Sequence, residues 1–153
     1  MGAGACEIWF YHLERTSLDQ ALPELLEKTL ARGWRALVRS TATERADHLD
    51  GFLWSYRDDA FLPHGVEGEP MAERQPVLIT TGNDNPNCAD VLFLIDGAEP
   101  GDISPYQRCI LMFDGRDEAA LSVARKRWSD FKVAGREVSY WRQGDSSGWR
   151  KEA

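Results

Sequence analysis

Basic and aromatic residues alternate near the C-terminus of a chain that is otherwise acidic. Between Leu121 and Arg142, six basic residues stand against two acidic ones, a local balance of +4; the whole chain carries -7, so the remainder carries -11. The basic residues are Arg125, Lys126, Arg127, Lys132, Arg136 and Arg142, and the interleaved aromatic ones are Trp128, Phe131, Tyr140 and Trp141. Such a surface would attract an acidic partner. Alternatively, the aromatic rings pack in the core while the arginine and lysine stems extend to water.

A second group of residues could support acid–base chemistry. Asp58 and Asp59 precede His64 in one loop, which leaves open a small α/β hydrolase or phosphotransferase if these side chains converge on a pocket. The motifs G-x-G-x-x-G and G-x-x-x-x-G-K-[ST] do not occur, so no nucleotide cofactor is expected. The hydrolase motif G-x-S-x-G does not occur either. His12, His48 and His64 lack ligand-like spacing, and we therefore expect structural histidines and no bound metal.

Bulky residues beside a proline form a third candidate feature. Phe61-Leu62-Pro63-His64-Gly65 follows Leu53-Trp54 at a distance of eight residues. Apolar side chains locked beside proline have little conformational freedom to lose on binding, so they could form a rigid docking surface. The alternative is that Phe61 and Trp54 only cover the end of a sheet.

Length, charge and cysteine content restrict the class of protein. A chain of 153 residues with 42% hydrophobic residues fits one globular domain. Its acidity, with a pI near 5.0, argues against an independent binder of duplex DNA and against sequence-specific nucleic-acid recognition. Cys6, Cys88 and Cys109 form no C-x-x-C pair, which favours a reducing cytoplasm. The longest apolar runs have five residues, so we expect a soluble, unexported protein without a membrane span.

Hydrophobic periodicity predicts alternating strands and helices. Predicted strands cover Glu7–Tyr11, Ala36–Val38, Val77–Thr80, Val91–Ile95, Cys109–Phe113 and Val138–Trp141. A first helix begins at a capping box of Ser17 and Gln20 and ends at Gly33, although Pro23 should kink it or delay its start. Thr43 should cap a second helix that extends to about Trp54, and residues 58–75 should form a loop.

The last helix is predicted from Asp117 to Gly135, which supplies a left-handed cap. Near-continuous apolar strands that alternate with helices predict a three-layer α/β/α sandwich around a mostly parallel sheet. This domain covers residues 1–143, and residues 144–153 form a polar C-terminal tail that is mobile apart from Trp149.

Several short motifs, in shared order and spacing, resemble the chi subunit family of bacterial DNA polymerase III. They are Phe10-Tyr11-His12-Leu13, Leu53-Trp54, Phe61-Leu62-Pro63-His64-Gly65, Gln75-Pro76-Val77, Asp96-Gly97, Ala124-Arg125-x-x-Trp128, Tyr140-Trp141 and Gly148-Trp149. The resemblance extends over most of the chain, and the α/β/α fold of the family agrees with the fold predicted above. It implies a non-enzymatic adaptor in DNA replication.

The resemblance also implies partners for the adaptor. One is the acidic C-terminal tail of single-stranded DNA-binding protein, which ends in an aromatic residue and a free carboxylate. Arg125 would bind that carboxylate because guanidinium can donate to both oxygens. Trp128 would form the wall of the pocket for the aromatic ring, while Lys132 and Arg136 would attract the acidic residues.

A second surface would bind the psi subunit of the clamp loader or a helicase-type protein. The matching positions here are Trp54, Phe61 and Pro63. On the first surface the chain departs from the family, because Leu121 and Ser129 stand where members can carry lysine. Tail binding is then either weaker or dependent on Arg127 and Arg136.

Overall fold

The structure, a computed structural model, describes residues 6–56, 62–144 and 148–153. This part of the chain contains one eight-stranded sheet. Its strands are β1 (Glu7–Leu13), β2 (Ala36–Arg39), β3 (Gly65–Val66), β4 (Val77–Thr80), β5 (Val91–Leu94), β6 (Arg108–Asp114), β7 (Val138–Gln143) and β8 (Trp149–Lys151). Their spatial order is β3-β4-β2-β5-β6-β1-β7-β8, and all pairs are parallel except β7 with β8. The predicted, mostly parallel α/β fold is confirmed.

Helices cover both faces of the sheet. On one face, α1 (Leu18–Ala31) and α2 (Thr43–Ser55) pack against a core that includes Val38, Phe93 and Met112. On the other face, α3 (Glu118–Val133) and several loop residues pack against a second core that includes Phe10 and Leu92. Each central strand contributes side chains to both cores, which explains its near-continuous apolar sequence. The three-layer arrangement predicted from the sequence is therefore present.

The ends of the helices follow local capping chemistry, with one exception. Ser17 Oγ accepts a hydrogen bond from the Gln20 backbone N–H, and the Gln20 side chain accepts one from the Ser17 N–H. This capping box fixes the start of α1 at Leu18 although Pro23 lies inside the helix, so the expected delay is wrong. For α2 the cap is Ala42, without a side-chain hydrogen bond, and Thr43 is the first helical residue rather than the predicted cap.

The end of α3 sets the course of the chain into β7. The Asp117 carboxylate caps α3 by accepting from the N–H groups of Ala119 and Ala120. Gly135 follows with φ of +78°, the left-handed conformation predicted for it. No helix in the described ranges is long and apolar enough to cross a membrane.

Two segments contain regular structure that was not expected from the sequence. The predicted loop at residues 58–75 includes β3, which extends the sheet beside β4, and a 3₁₀ turn at Ala72–Arg74. Within the predicted tail, Trp149–Lys151 forms β8 antiparallel to β7. The Trp149 ring stacks on Tyr11 with a centroid distance of 4.5 Å. This ring contact ties the last strand to β1.

We predict that Trp149→Ala lowers the free energy of unfolding by about 2 kcal/mol, less than for a fully buried tryptophan because Trp149 is half-buried. Urea titration followed by far-UV circular dichroism measures this change. Arg150→Ala, in the same strand but exposed, is the matched control and should change the free energy by less than about 0.5 kcal/mol. Equal effects of the two substitutions would show that the ring contact of β8 adds no stability.

Candidate peptide-binding site

Three of the predicted site residues share one flank of α3. Arg125, Trp128 and Lys132 are spaced i, i+3 and i+7, so they lie on the same side of the helix. We call this surface the α3 flank. Arg125 and Lys132 are exposed, and Lys132 Nζ lies 5.5 Å from the centroid of the half-buried Trp128 ring. The flank therefore places two cations, about 10 Å apart along the helix, beside one indole ring.

Aromatic contacts hold the Trp128 ring in place. Phe10 meets it edge-on at a centroid distance of 5.4 Å, and Tyr140 meets it edge-on at 5.6 Å. Phe10 and Tyr140 are neighbours in the β1–β7 register and stack on each other at 6.4 Å. Because three elements converge on this ring, it is preorganised and has little freedom to lose in a contact with another molecule.

His12 contacts this aromatic cluster through Tyr140. Its Nδ1 lies 2.5 Å from the Tyr140 hydroxyl, and the imidazole is buried. Gly115 leaves the space for this ring, since a Cβ there would lie 1.8 Å from His12 Nε2. Burial lowers the pKa of His12, and the nearby charge of Arg142 acts in the same direction. His12 is thus held by a hydrogen bond to Tyr140 within the aromatic cluster.

A further cation, Arg142, borders the α3 flank and was not singled out as a site residue from the sequence. Burial raises the pKa of the Tyr140 hydroxyl, while the charges of Arg142 and Arg125 oppose that rise, so both guanidinium groups lie near it. Arg142 Nη1 contacts Glu14 Oε1 at 3.2 Å, and its Nε lies 3.7 Å from Glu152 Oε1. The alternation of Tyr140 and Arg142 along β7 is the sequence signal that could have indicated this shared face.

The remaining basic residues of this segment lie elsewhere. Arg127 projects to the opposite side of α3, where its guanidinium contacts Glu99 Oε2 and the Gly97 carbonyl, each at 3.2 Å. Arg136 lies beyond the end of the helix. Burial raises the pKa of the Cys6 thiol to about 11, and the charge of Arg136 partly opposes this rise, so Arg136 lies near Cys6. Cys6 precedes β1, whereas His12 is near its end, so the structure does not bring Arg136 and Arg125 together.

The sequence is similar to one family of known proteins. A family model described as "DNA polymerase III chi subunit, HolC" matches residues 6–139. The chain belongs to the DNA polymerase III chi subunit family. This chi-family chain is 29% identical over 103 residues to the probable DNA polymerase III subunit chi of Rickettsia prowazekii, an alignment that covers 67% of the chain and 62% of the relative.

Two other relatives carry the same description. The chain is 29% identical over 89 residues to the DNA polymerase III subunit chi of Pseudomonas aeruginosa, covering 58% of the chain and 61% of that protein. It is 22% identical over 120 residues to the DNA polymerase III subunit chi of Escherichia coli, covering 78% and 82%. Matched regions thus span less than two thirds of the Rickettsia and Pseudomonas proteins.

For the second predicted surface of this chi-family chain, the structure describes Trp54 and Pro63. Trp54, on α2, is 55% exposed, and its ring lies 4.4 Å from that of His64 between centroids. Pro63 is half-buried, while Phe61 lies outside the described residues. Trp54 and the Pro63 segment are thus brought to the same region by the His64 ring.

The hydrolase alternative requires an accessible His64, and this side chain is buried. His64 Nδ1 lies 2.7 Å from the Leu62 carbonyl oxygen, and its Nε2 lies 3.1 Å from Asp50 Oδ1. The imidazole side chain is fully buried, so it is not presented to a substrate. Asp58 and Asp59 lie outside the described residues. Within the described ranges, no group of three or more histidine, cysteine, aspartate or glutamate residues is arranged to hold a metal ion.

The pKa of His12 predicts a pH dependence of stability. Because burial lowers this pKa below its ordinary value of 6.5, the unfolded chain binds the proton first as the pH falls. His12 should therefore contribute stability above about pH 6.5 that is lost as the pH falls towards the folded-state pKa, at a slope of no more than about 1.4 kcal/mol per pH unit. Urea unfolding between pH 7.5 and 5.0 measures this slope. An unchanged slope in His12→Gln would contradict the assignment.

Proposed function

We propose that this chain is a non-catalytic adaptor that binds the acidic C-terminal tail of single-stranded DNA-binding protein and links it to the clamp loader of DNA polymerase III. Family membership supports a role in replication, and the α3 flank supports the ligand. The observation that carries the proposal is the exposed Arg125 guanidinium beside the fixed Trp128 ring, because a chain terminus with an aromatic last residue needs a cation and an apolar wall together.

Each member of the site has a separate task in this proposal. Arg125 donates two hydrogen bonds to the terminal carboxylate, and Trp128 contacts the terminal ring. Lys132 lies beside Trp128 and attracts acidic residues that precede the ring. Arg142 lies near the same Tyr140 hydroxyl as Arg125, but Glu14 and Glu152 offset its charge. Arg136 would contact only acidic residues farther along the extended peptide, which advances about 3.3 Å per residue.

The charge distribution is consistent with an acidic ligand although the chain has a net charge of -7. Leu121 and Ser129 contribute no charge to the rim, and Arg127 is directed to Glu99 on the other side of α3. Attraction therefore depends mainly on Arg125 and Lys132, because Arg142 contacts two carboxylates, those of Glu14 and Glu152. A rim with few cations makes the carboxylate contact the dominant one, because exposed charges at greater distance are screened by salt.

We predict that Arg125→Ala weakens binding of an acidic tail peptide by more than tenfold without unfolding the protein. A buried carboxylate that loses its charged donor loses about 2 to 5 kcal/mol of binding free energy. Fluorescence anisotropy of a labelled peptide ending in acidic residues and phenylalanine measures the dissociation constant. Lys126→Ala is the matched control, because Lys126 is an adjacent exposed cation that pairs with Asp130 instead.

Amidation of the peptide's C-terminus makes this experiment specific for the carboxylate. Amidation should weaken binding to the wild type strongly and binding to Arg125→Ala only slightly, since the two changes remove the same interaction. Additive losses would assign the carboxylate to another residue. If Arg125→Ala folds normally and binds the free-acid peptide as tightly as wild type, the proposed site is wrong.

We further propose that Trp54, Phe61 and Pro63 contact psi or a helicase-type protein. An exposed tryptophan beside a proline is the kind of rigid anchor that dominates binding energy in protein interfaces. Trp54→Ala should weaken this contact at least tenfold and leave binding of the tail peptide unchanged. Analytical ultracentrifugation with the purified partner measures the first effect. Met71→Ala is the control, because Met71 is also 55% exposed but lies on another segment.

A general loss of folding would give a different result. If Trp54→Ala also lowers the melting temperature and tail-peptide binding, the tryptophan has a structural role. Met71→Ala and Trp54→Ala with equal effects on the partner would likewise contradict a specific anchor at Trp54.

A further inference from the structure

A groove of about 560 Å³ lies on the face of the sheet opposite the α3 flank. It runs between α1 and the strands at the β7–β8 end of the sheet, and four tryptophans line it: Trp9, Trp34, Trp141 and Trp149. Lys28, Arg32 and Arg108 are also part of its lining. None of these seven residues belongs to the α3 flank or to the Trp54 surface, so the groove has no role in the function proposed above.

Guanidinium groups lie on the indole rings of the groove. Arg108 Cζ is 3.9 Å from the centroid of Trp9 and 5.2 Å from that of Trp34, while Arg32 Cζ is 4.1 Å from Trp34. Trp9 in turn stacks on Trp141 at 5.2 Å with an interplanar angle of 26°. These contacts restrict the rotamers of two arginines and present flat cationic and aromatic groups together.

The charge of the groove differs in sign from that of the whole chain. Three basic residues and no acidic residue line it among the described residues. Arg108 pairs with Glu7 and Lys28 pairs with Glu24, both at 3.2 Å and outside the lining. Glu7, Glu24 and Lys28 are exposed, and pairs at an exposed surface contribute little and are readily exchanged for another anion. An anionic ligand is therefore favoured here on a protein of net charge -7.

One lining residue of the groove, Trp141, also carries an unsatisfied donor. Trp141 Nε1 is buried and has no hydrogen-bond partner among the described residues. A buried donor without an acceptor costs about 1 to 3 kcal/mol, so such groups are uncommon. A ligand oxygen that reached this indole N–H would supply the missing acceptor.

We propose that this groove binds single-stranded nucleic acid without sequence preference. Bases stack on aromatic rings and on guanidinium planes, and phosphates pair with Lys28, Arg32 and Arg108. A nucleotide chain repeats a flat base and an anion, which matches the alternation of indole rings and cations. An acidic peptide would satisfy the charges, but it would bring few flat groups to a lining rich in tryptophan. Among the described residues the aliphatic part of the lining is limited to Leu25, Ala31 and Ile110. Duplex DNA is excluded as the favoured ligand because its bases are already stacked.

Charge reversal of two exposed cations tests the proposal. Lys28→Glu/Arg32→Glu should raise the dissociation constant for a labelled dT12 oligonucleotide at least tenfold from a wild-type value of about 10⁻⁴ to 10⁻⁶ M. It should also reduce the slope of log K against log salt by about 1.4, since each phosphate contact on a single strand contributes about 0.7. Fluorescence anisotropy measures both quantities, and circular dichroism confirms that the variant is folded.

Arg74→Glu/Lys126→Glu is the matched control. It changes the net charge by the same amount at exposed positions away from the groove, and Lys126 pairs with an acidic residue four positions away in its helix, as Lys28 does. The control should bind dT12 within about twofold to threefold of wild type. Saturating tail peptide should not displace the oligonucleotide, because the α3 flank lies on the other face.

Four results would overturn the proposal. They are no binding of dT12 by the wild type at low salt, equal losses in the groove variant and the control, displacement by the tail peptide, and tighter binding of a polyglutamate peptide than of dT12 in the groove. The last result would assign the groove to an acidic protein. Three of these results do not involve Arg125 and leave the proposed adaptor function to its own test. Displacement by the tail peptide does involve it, and repeating that competition with Arg125→Ala shows whether the shared site is the α3 flank or the groove.

Discussion

The α3 flank and the groove both depend on one constraint, the position of β1 between β6 and β7. Parallel pairing on each side fixes its register, and its alternate side chains then point to opposite faces. Phe10 and His12 support the α3 flank through Trp128 and Tyr140. Trp9, one residue away, contributes to the groove on the other face. A one-residue shift of this strand would therefore exchange the supports of the two surfaces.

Fixed aromatic rings and exposed cations have different roles at the α3 flank. The rings of Phe10, Trp128 and Tyr140 define the shape of the surface because three elements hold them. Arg125 and Lys132 lie outside this cluster, so their substitution changes potential without opening a cavity. This separation makes the flank suitable for testing, since binding and stability depend on different residues.

Most of the fold could be predicted because its signals are local. The apolar runs at Val91–Ile95 and Cys109–Phe113 indicated buried strands, and the spacing of Arg125 and Trp128 placed both on one flank. β8 could not be predicted, because Trp149–Lys151 is short and two of its three residues are basic. The contact of His12 with Tyr140 joins residues 128 positions apart. Arg136 was grouped with Arg125 by charge, but the chain turns at Gly135 before reaching it.

Neighbouring residues of β7, like those of β1, point to opposite faces of the sheet. Tyr140 belongs to the α3 side and Trp141 to the groove, so the strand separates two surfaces that are adjacent in sequence. The chain as a whole carries a net charge of -7, so the cations of these two surfaces stand against an acidic remainder. Arg142 remains beside the α3 flank, whereas Arg108 supplies the groove from β6. Two anionic ligands could consequently occupy the protein together without sharing a cation.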